Sequence, residues 1–290
     1  MLANRTLQAA SSGAGYQIQR SLRFRSAASA YLSRTPVSAG NRKTWTFSCW
    51  VKKSDITSQQ FLLAVLPISI DAIDIYLGAL RFYLDGGNGA YVVTTQLFRD
   101  PSAHFHLVAV LDTTNGTASD RLRIYVNGVR VTSFSTNTQP VLDYQSKVNT
   151  TGAHYIGQSG TSSAYFDGYL SEINFIDGLA LTPSSFGQTD PVTGVWSAKR
   201  YSGTYGNNGF YLNFSDPTST TLVGYDRRFG AYSRNLRTSG TAIGGYTANG
   251  GLAAAFDGNT NQPKPVAHDQ VLLPQATRPR VLSGEIGVLV

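Results

Sequence analysis

The sequence predicts an all-β protein built as an antiparallel two-sheet sandwich. Three observations carry that prediction. Apolar residues recur at every second position in one short segment after another. Gly, Pro, Asn and Asp stand between those segments. No amphipathic helical pattern of about 10–15 residues intervenes, which argues against alternating α/β architecture.

In chain order, residues 1–20 are polar and centred on Ser11-Ser12-Gly13-Ala14-Gly15, an N-terminal arm rather than core. Ser21 to Phe24 begins the first strand. Ala27 to Leu32 forms a turn and short strand, closed by Pro36. Trp45 to Val51 is the clearest strand. Trp45, Phe47, Cys49 and Val51 point one way, and Thr46, Ser48, Trp50 and Lys52 the other. With a tryptophan on each row, both faces are expected to be at least partly covered. Phe61–Leu66 is a short apolar run ended by Pro67. Ile73–Leu77 and Leu80–Leu84 follow, then a turn at Asp85-Gly86-Gly87-Asn88-Gly89 and a strand from Tyr91 to Thr95.

Phe105–Val131 organises the rest. Asn127-Gly128 predicts a two-residue type I′ hairpin, because both central residues must take φ > 0. That turn sets Val126 opposite Val129, Tyr125 opposite Arg130 and Ile124 opposite Val131. A Tyr125–Arg130 cation–π pair across the hairpin is also expected. Residues 132–152 are rich in Ser, Thr and Asn and read as a long loop. Tyr155–Gln158 opens a strand and Phe166–Ile176 is the next, turned by Asp177-Gly178. Pro183–Phe186 reads as one helical turn, with Thr182 as N-cap. Residues 191–223 are a β extension packed on the sandwich, with Phe210–Phe214 as its strand. Residues 224–290 are irregular and Gly/Pro-rich, and are expected to need a neighbour for order.

Composition narrows the function. Lys plus Arg number 24 against 17 Asp plus Glu, a net charge of +7 with no long basic run, so no nucleic-acid partner is expected. Cys49 is the only cysteine. It excludes a disulfide within the chain and a clustered-thiolate zinc site, and its place on an alternating strand makes it a small core residue. The N-terminal segment has no apolar core of a secretory signal, and no run reaches the roughly 18 apolar residues of a membrane span. G-x-S-x-G motifs are absent, and the Gly86–Gly89 run lacks the lysine and following helix of a phosphate loop. His104 and His106 alternate on one strand face and are the only closely spaced histidines.

Three stretches carry a family resemblance: TWTFSCWVK (44–52), HFHLVAVLD…LRIYVNGVRV (104–131) and YIGQSG…FDGYLSEINFIDGLALTP (155–183). Together they resemble concanavalin A-like jelly-roll domains of the laminin-G-like type, over residues 21–190. YLSRTP…WTFSCWVK and FIDGLALTPSSFG are similar to virion proteins of tailed bacteriophages. GLAAAFDGNTNQ (251–262) resembles the opening of a discoidin-type domain.

The resemblance implies a non-enzymatic structural protein of a bacteriophage particle, tail- or fibre-associated, with a host-surface glycan-binding role. A head decoration or head-fibre protein, a free carbohydrate-binding lectin and a glycan-degrading depolymerase are the alternatives. Partners would be capsid or tail subunits, copies of the chain itself and a host-surface glycan, with no membrane. The protein would be made in the host cytoplasm and reside in the virion. Related jelly rolls that hydrolyse glycans use paired carboxylates. The candidates here are Asp71, Asp74, Asp85 and Glu172, and no Glu-x-Asp-x-Glu arrangement is present. Glu172 occupies a position that the family pattern makes structural. For glycan contact the loop and strand candidates are Tyr76, Tyr83, Asn88, Tyr91 and Tyr165. Calcium, bound by some relatives, would fall to Asp71, Asp74, Asp112 and Asp120. No other cofactor is expected.

Overall fold

The structure is a computed structural model that describes residues 16–66, 70–161, 163–215 and 226–228, with the backbone alone of 247–249. The strands are β1 (Leu22–Phe24), β2 (Tyr31–Arg34), β3 (Thr44–Lys53), β4 (Gln60–Val65), β5 (Asp71–Tyr76), β6 (Ala79–Leu84), β7 (Ala90–Leu97), β8 (Phe105–Asp112), β9 (Leu122–Val126), β10 (Val129–Arg130), β11 (Phe134–Thr138), β12 (His154–Ile156), β13 (Gly168–Asp177), β14 (Gly187–Thr189), β15 (Trp196–Ala198), β16 (Phe210–Leu212) and β17 (Thr247–Asn249). Only single 3-10 turns interrupt them among the described residues.

Two antiparallel sheets result. The first runs β1-β13-β3-β8-β9-β10, with β16 also pairing to β13. The second runs β11-β7-β6-β5-β4-β12-β2-β17. The inner row of β3 is the predicted one: Trp45, Phe47, Cys49 and Val51 are each fully buried. Trp45 reaches across the sandwich to Phe82, with ring centroids 5.4 Å apart, and lies 5.9 Å from Phe175 on its own sheet. Its indole N–H donates to Ser146 Oγ, so the polar edge of a buried ring is satisfied.

The hairpin holds as read. Asn127 has φ 47° and Gly128 φ 82°, and Val129 pairs with Val126, Arg130 with Tyr125. The apolar row fades at the sheet edge, where Val129 is 70% exposed. The expected Tyr125–Arg130 contact is replaced: the Arg130 guanidinium pairs with Asp120 and the Ser119 carbonyl instead. A flexible cation on an edge strand takes the charged partner over the ring face.

Three further departures have physical causes. Residues 132–152 are not all loop, because β11 pairs with β7 at the edge of the second sheet. Its pairing is carried by backbone hydrogen bonds, so a polar FSTNT sequence shows no apolar alternation. The 27–32 strand begins only at Tyr31, after a 3-10 turn over Ser26–Ala28 that closes with Ser29 in the left-handed region at φ 51°. An unpredicted hairpin, β14–β15, follows the Pro183–Ser185 turn. That turn does begin after Thr182, but the Thr182 side chain makes no capping bond.

The outer face of the first sheet is covered by the chain after β13. Val108, Val110 and Ile176 pack there against Phe186, Tyr205 and Tyr211. Trp50, on the outward row, stacks on His106, which in turn stacks on Trp196. Residues 1–15 of the expected arm, most of 216–290 and the discoidin-like stretch 251–262 lie outside the described residues.

Candidate functional site

The outer face of the second sheet follows from strand parity. Ile73, Ile75, Leu80, Phe82 and Val92 point into the core. Their neighbours Asp74, Tyr76, Arg81, Tyr83 and Tyr91 therefore point out. Cross-strand pairing sets Asp74 opposite Arg81 and Tyr83 opposite Tyr91. On β2 and β12 the same parity turns Tyr31 and Tyr155 outward, because Leu32 and Ile156 are core. Their rings lie 6.0 Å apart, and Tyr165 adds a third ring 6.2 Å from Tyr31. One sheet face thus carries Tyr31, Tyr76, Tyr83, Tyr91 and Tyr155, with Tyr165 beside it.

Asp74 anchors this face. It is fully buried, and its carboxylate accepts from Arg81 Nε at 2.6 Å, Arg81 Nη2, Gln59 Nε2 and the Tyr83 hydroxyl at 3.3 Å. The Arg81 guanidinium lies 4.6 Å above the ring centre of Tyr76, which is 42% exposed. Burial, with the Asp74 charge beside it, pushes the Tyr83 hydroxyl up from its ordinary range. So Tyr83 is a buried structural phenol, while Tyr76, Tyr91, Tyr31, Tyr155 and Tyr165 keep exposed ring area. Asn88 is exposed at the β6–β7 connection, next to Gly87, where an added methyl would sit 3.9 Å from the Tyr91 ring.

Of the residues expected to contact glycan, Tyr76, Tyr83, Tyr91 and Asn88 gather on the β5–β7 part of the face, and Tyr165 lies at the β2–β12 part. Tyr31 and Tyr155 were not anticipated. Their signal was present, since each alternates with a core residue on its strand, but only strand pairing joins them to the others.

The candidate carboxylates do not converge. Asp71 lies on the core-side row of β5, and accepts the backbone N–H of Asp85 at 2.7 Å and that of Lys147. Asp74 lies on the opposite row, held by Arg81. Asp85 pairs with Lys147. Glu172 belongs to the other sheet, at a bulge in β13 with φ 49°. It accepts from the Tyr211 hydroxyl at 2.6 Å and the Tyr16 hydroxyl at 2.8 Å, and burial raises its pKa. Asp112 accepts from Thr114, and Asp120 pairs with Arg130. Calcium takes six to eight oxygen ligands. Asp71, Asp74, Asp112 and Asp120 do not form one such set, and among the described residues no three His, Cys, Asp or Glu side chains cluster for a metal.

His106 is likewise occupied. Trp196 Nε1–H donates to its Nδ1 at 3.1 Å, so Nε2 carries the proton and meets Ser48 Oγ at 2.9 Å. His104 turns instead toward a cavity at one end of the sandwich. The two do not act as a pair.

A sequence model of the concanavalin A-like lectin/glucanases superfamily, in its laminin G form, matches residues 26–185. The chain belongs to this family, and its jelly-roll sandwich is the lectin-like fold of that superfamily. No curated protein sequence matches it. Among solved structures, a native heptameric SAP-like pentraxin from Limulus polyphemus is 14% identical, covers 58% of this chain and 80% of its own, and superposes with a TM-score of 0.44. Domains LG4-5 of the mouse laminin alpha1 chain are 17% identical over 56% of this chain and 42% of that one, with a TM-score of 0.36. A sialidase CBM40 from Ruminococcus gnavus bound to alpha2,3 sialyllactose is 11% identical over 48% of this chain and 87% of its own, with a TM-score of 0.33.

Proposed function

We propose that the chain is a non-enzymatic recognition module of a bacteriophage particle, tail- or fibre-associated, that holds a host-surface glycan on the tyrosine face of the second sheet. The observation that carries the glycan part is the gathering of tyrosines on one sheet face: Tyr76 and Tyr91 at the Asp74–Arg81 pair, and Tyr31, Tyr155 and Tyr165 against one another at the β2–β12 part. Sugar rings present C–H faces that stack on such phenols, while the phenol hydroxyls accept and donate hydrogen bonds. The particle part is supported by the phage-like wording of residues 31–52 and 175–187. Against catalysis stands the dispersal of the carboxylates: Asp74 is neutralised by Arg81, and Glu172 sits under two tyrosines on the other sheet.

Two measurements test this. Purified protein is passed over immobilised capsular and lipopolysaccharide glycans. Retention is expected, and Tyr76→Ala should weaken it about tenfold, the order of one stacking contact. Retention unchanged in Tyr76→Ala and Tyr91→Ala, or release of cleaved sugar, overturns the reading. Immunogold labelling of intact particles with antibody to residues 21–190 should mark tail appendages. Label over the head means decoration, and no label on any particle removes the virion assignment.

A further inference from the structure

The inner row of β3 does not end with Val51. The next residue on it is Lys53, a lysine where the pattern calls for a core side chain, and it is only 2% exposed. Among the described residues its ammonium has neither a hydrogen bond nor an ion pair. The nearest acid in sequence, Asp55, spends its carboxylate on its own turn, accepting from Thr57 N at 2.7 Å, Thr57 Oγ1 at 2.8 Å and Ser58 N at 3.3 Å. The stem is buried while the ammonium opens onto a cavity; the charges acting on it are Asp55 and, with opposite sign, Arg99, so an anion in that cavity would meet a cation that no carboxylate among the described residues contacts directly.

Lys53 lines a cavity of about 210 Å³ at the end of the sandwich. Phe98 and Phe105, 4.5 Å apart between ring centres, form its apolar wall with Val126. Arg99, His104, Gln96 and Asn127 supply the rest of the polar lining, with Asp100 as the single acid. The lining is rich in donors. The Asn127 side-chain oxygen already accepts the His106 N–H at 2.8 Å, which leaves its amide N–H groups. Among the described residues the Arg99 guanidinium makes one long hydrogen bond, to the Leu77 carbonyl at 3.4 Å. The Asp100 carboxylate takes the Ser102 N–H at 2.7 Å.

We propose that this cavity binds the carboxylate of a single acidic sugar residue, with Lys53 and Arg99 as its cationic contacts, Asn127 as a neutral donor and the Phe98–Phe105 wall against the ring. The anion follows from the donors and the unpaired lysine. The sugar rests on the glycan reading above. The volume is below that of sites for drug-sized ligands, so it admits one ring rather than a chain.

The test is a titration of the full chain with sodium D-glucuronate, D-glucose and inorganic phosphate in turn, followed by the ring resonances of His104. Glucuronate should shift them and glucose should not. Lys53→Met keeps the stem and removes the charge, and should weaken glucuronate at least about tenfold, with Arg99→Gln weakening it about threefold. Both variants are checked for native circular dichroism, and Arg99→Gln, at an exposed position, keeps the test alive if Lys53→Met misfolds. No response to glucuronate, a response in both variants equal to that of the wild type, or a response to phosphate alone overturns the assignment. Failure here is separable from failure of the tyrosine face, because Lys53→Met should leave retention on neutral glycans intact and Tyr76→Ala should leave the His104 shifts intact.

Discussion

Lowering the pH from about 7.5 to about 5 should remove about 4 kcal/mol of folding stability through two histidines, about 2 from each. His106 and His154 are both buried, and burial pushes them down to about 3 and about 4. Their hydrogen bonds explain why each must stay neutral. His154 Nε2 accepts the Asn149 N–H at 2.8 Å while Nδ1 donates to the Gly152 carbonyl at 2.8 Å. His106 Nδ1 accepts from the Trp196 indole. A second proton on either ring would point one N–H at another. The unfolded chain takes up those protons near pH 6.5 and the fold does not, so stability falls with pH from about 6.5 toward about 4.

Asp71, Glu172 and Asp226 act with the opposite sign. Burial raises all three, so the fold gains stability as they protonate in acid. The histidine share is therefore read by comparing urea unfolding of the wild type with that of a His106→Gln, His154→Gln variant at both pH values. A pH effect identical in the two proteins would mean that these histidines are not held neutral.

The second large effect is expected at Asp177, where replacement by alanine should destabilise the protein by about 3–5 kcal/mol. Its side chain is buried at the end of β13. One oxygen accepts from Asn41 N at 2.8 Å and Asn149 Nδ2 at 2.6 Å, the other from Asn208 N at 2.9 Å. Asn208 Nδ2 continues the network to Asn149 Oδ1 at 2.9 Å and to the Ser38 carbonyl. Asn149, at φ 73°, is the junction, and Gly40 lies so close that an added Cβ would come within 2.4 Å of its amide. Four segments distant in sequence are joined there, and alanine leaves the backbone N–H groups of Asn41 and Asn208 without an acceptor and Asn149 Nδ2 with only the Asn41 carbonyl. Asp120→Ala, which loses only the surface pair with Arg130, should stay within about 1 kcal/mol of wild type. Similar denaturation midpoints for the two variants would show that the Asp177 network contributes little.

Much of the fold was legible in the sequence because it was local. The Asn127-Gly128 turn carries its own geometry, and the Trp45–Val51 row carries its own parity, so hairpin, register and core face all followed. Covering of both faces of β3 followed from Trp45 and Trp50 together. β11 was not legible, because its order comes from backbone bonds to β7 rather than from side chains. Arg130 went to Asp120 because a charge ten residues back in sequence lies close in space.

The site divides along the same line. That Tyr76, Tyr83 and Tyr91 share a face could be read from three successive strands. Asp71 and Asp74, three residues apart, looked like partners, yet a strand sends positions of opposite parity to opposite faces. By itself the sequence determined the sandwich, its inner row and the family to which the chain belongs. The tertiary structure alone decided that Tyr31 and Tyr155 join the tyrosine face, that Arg81 neutralises Asp74, and that Lys53 ends the core row at an open cavity. Each of these depends on which distant strands become neighbours, and burial of the whole apolar surface, rather than any local motif, selects that pairing.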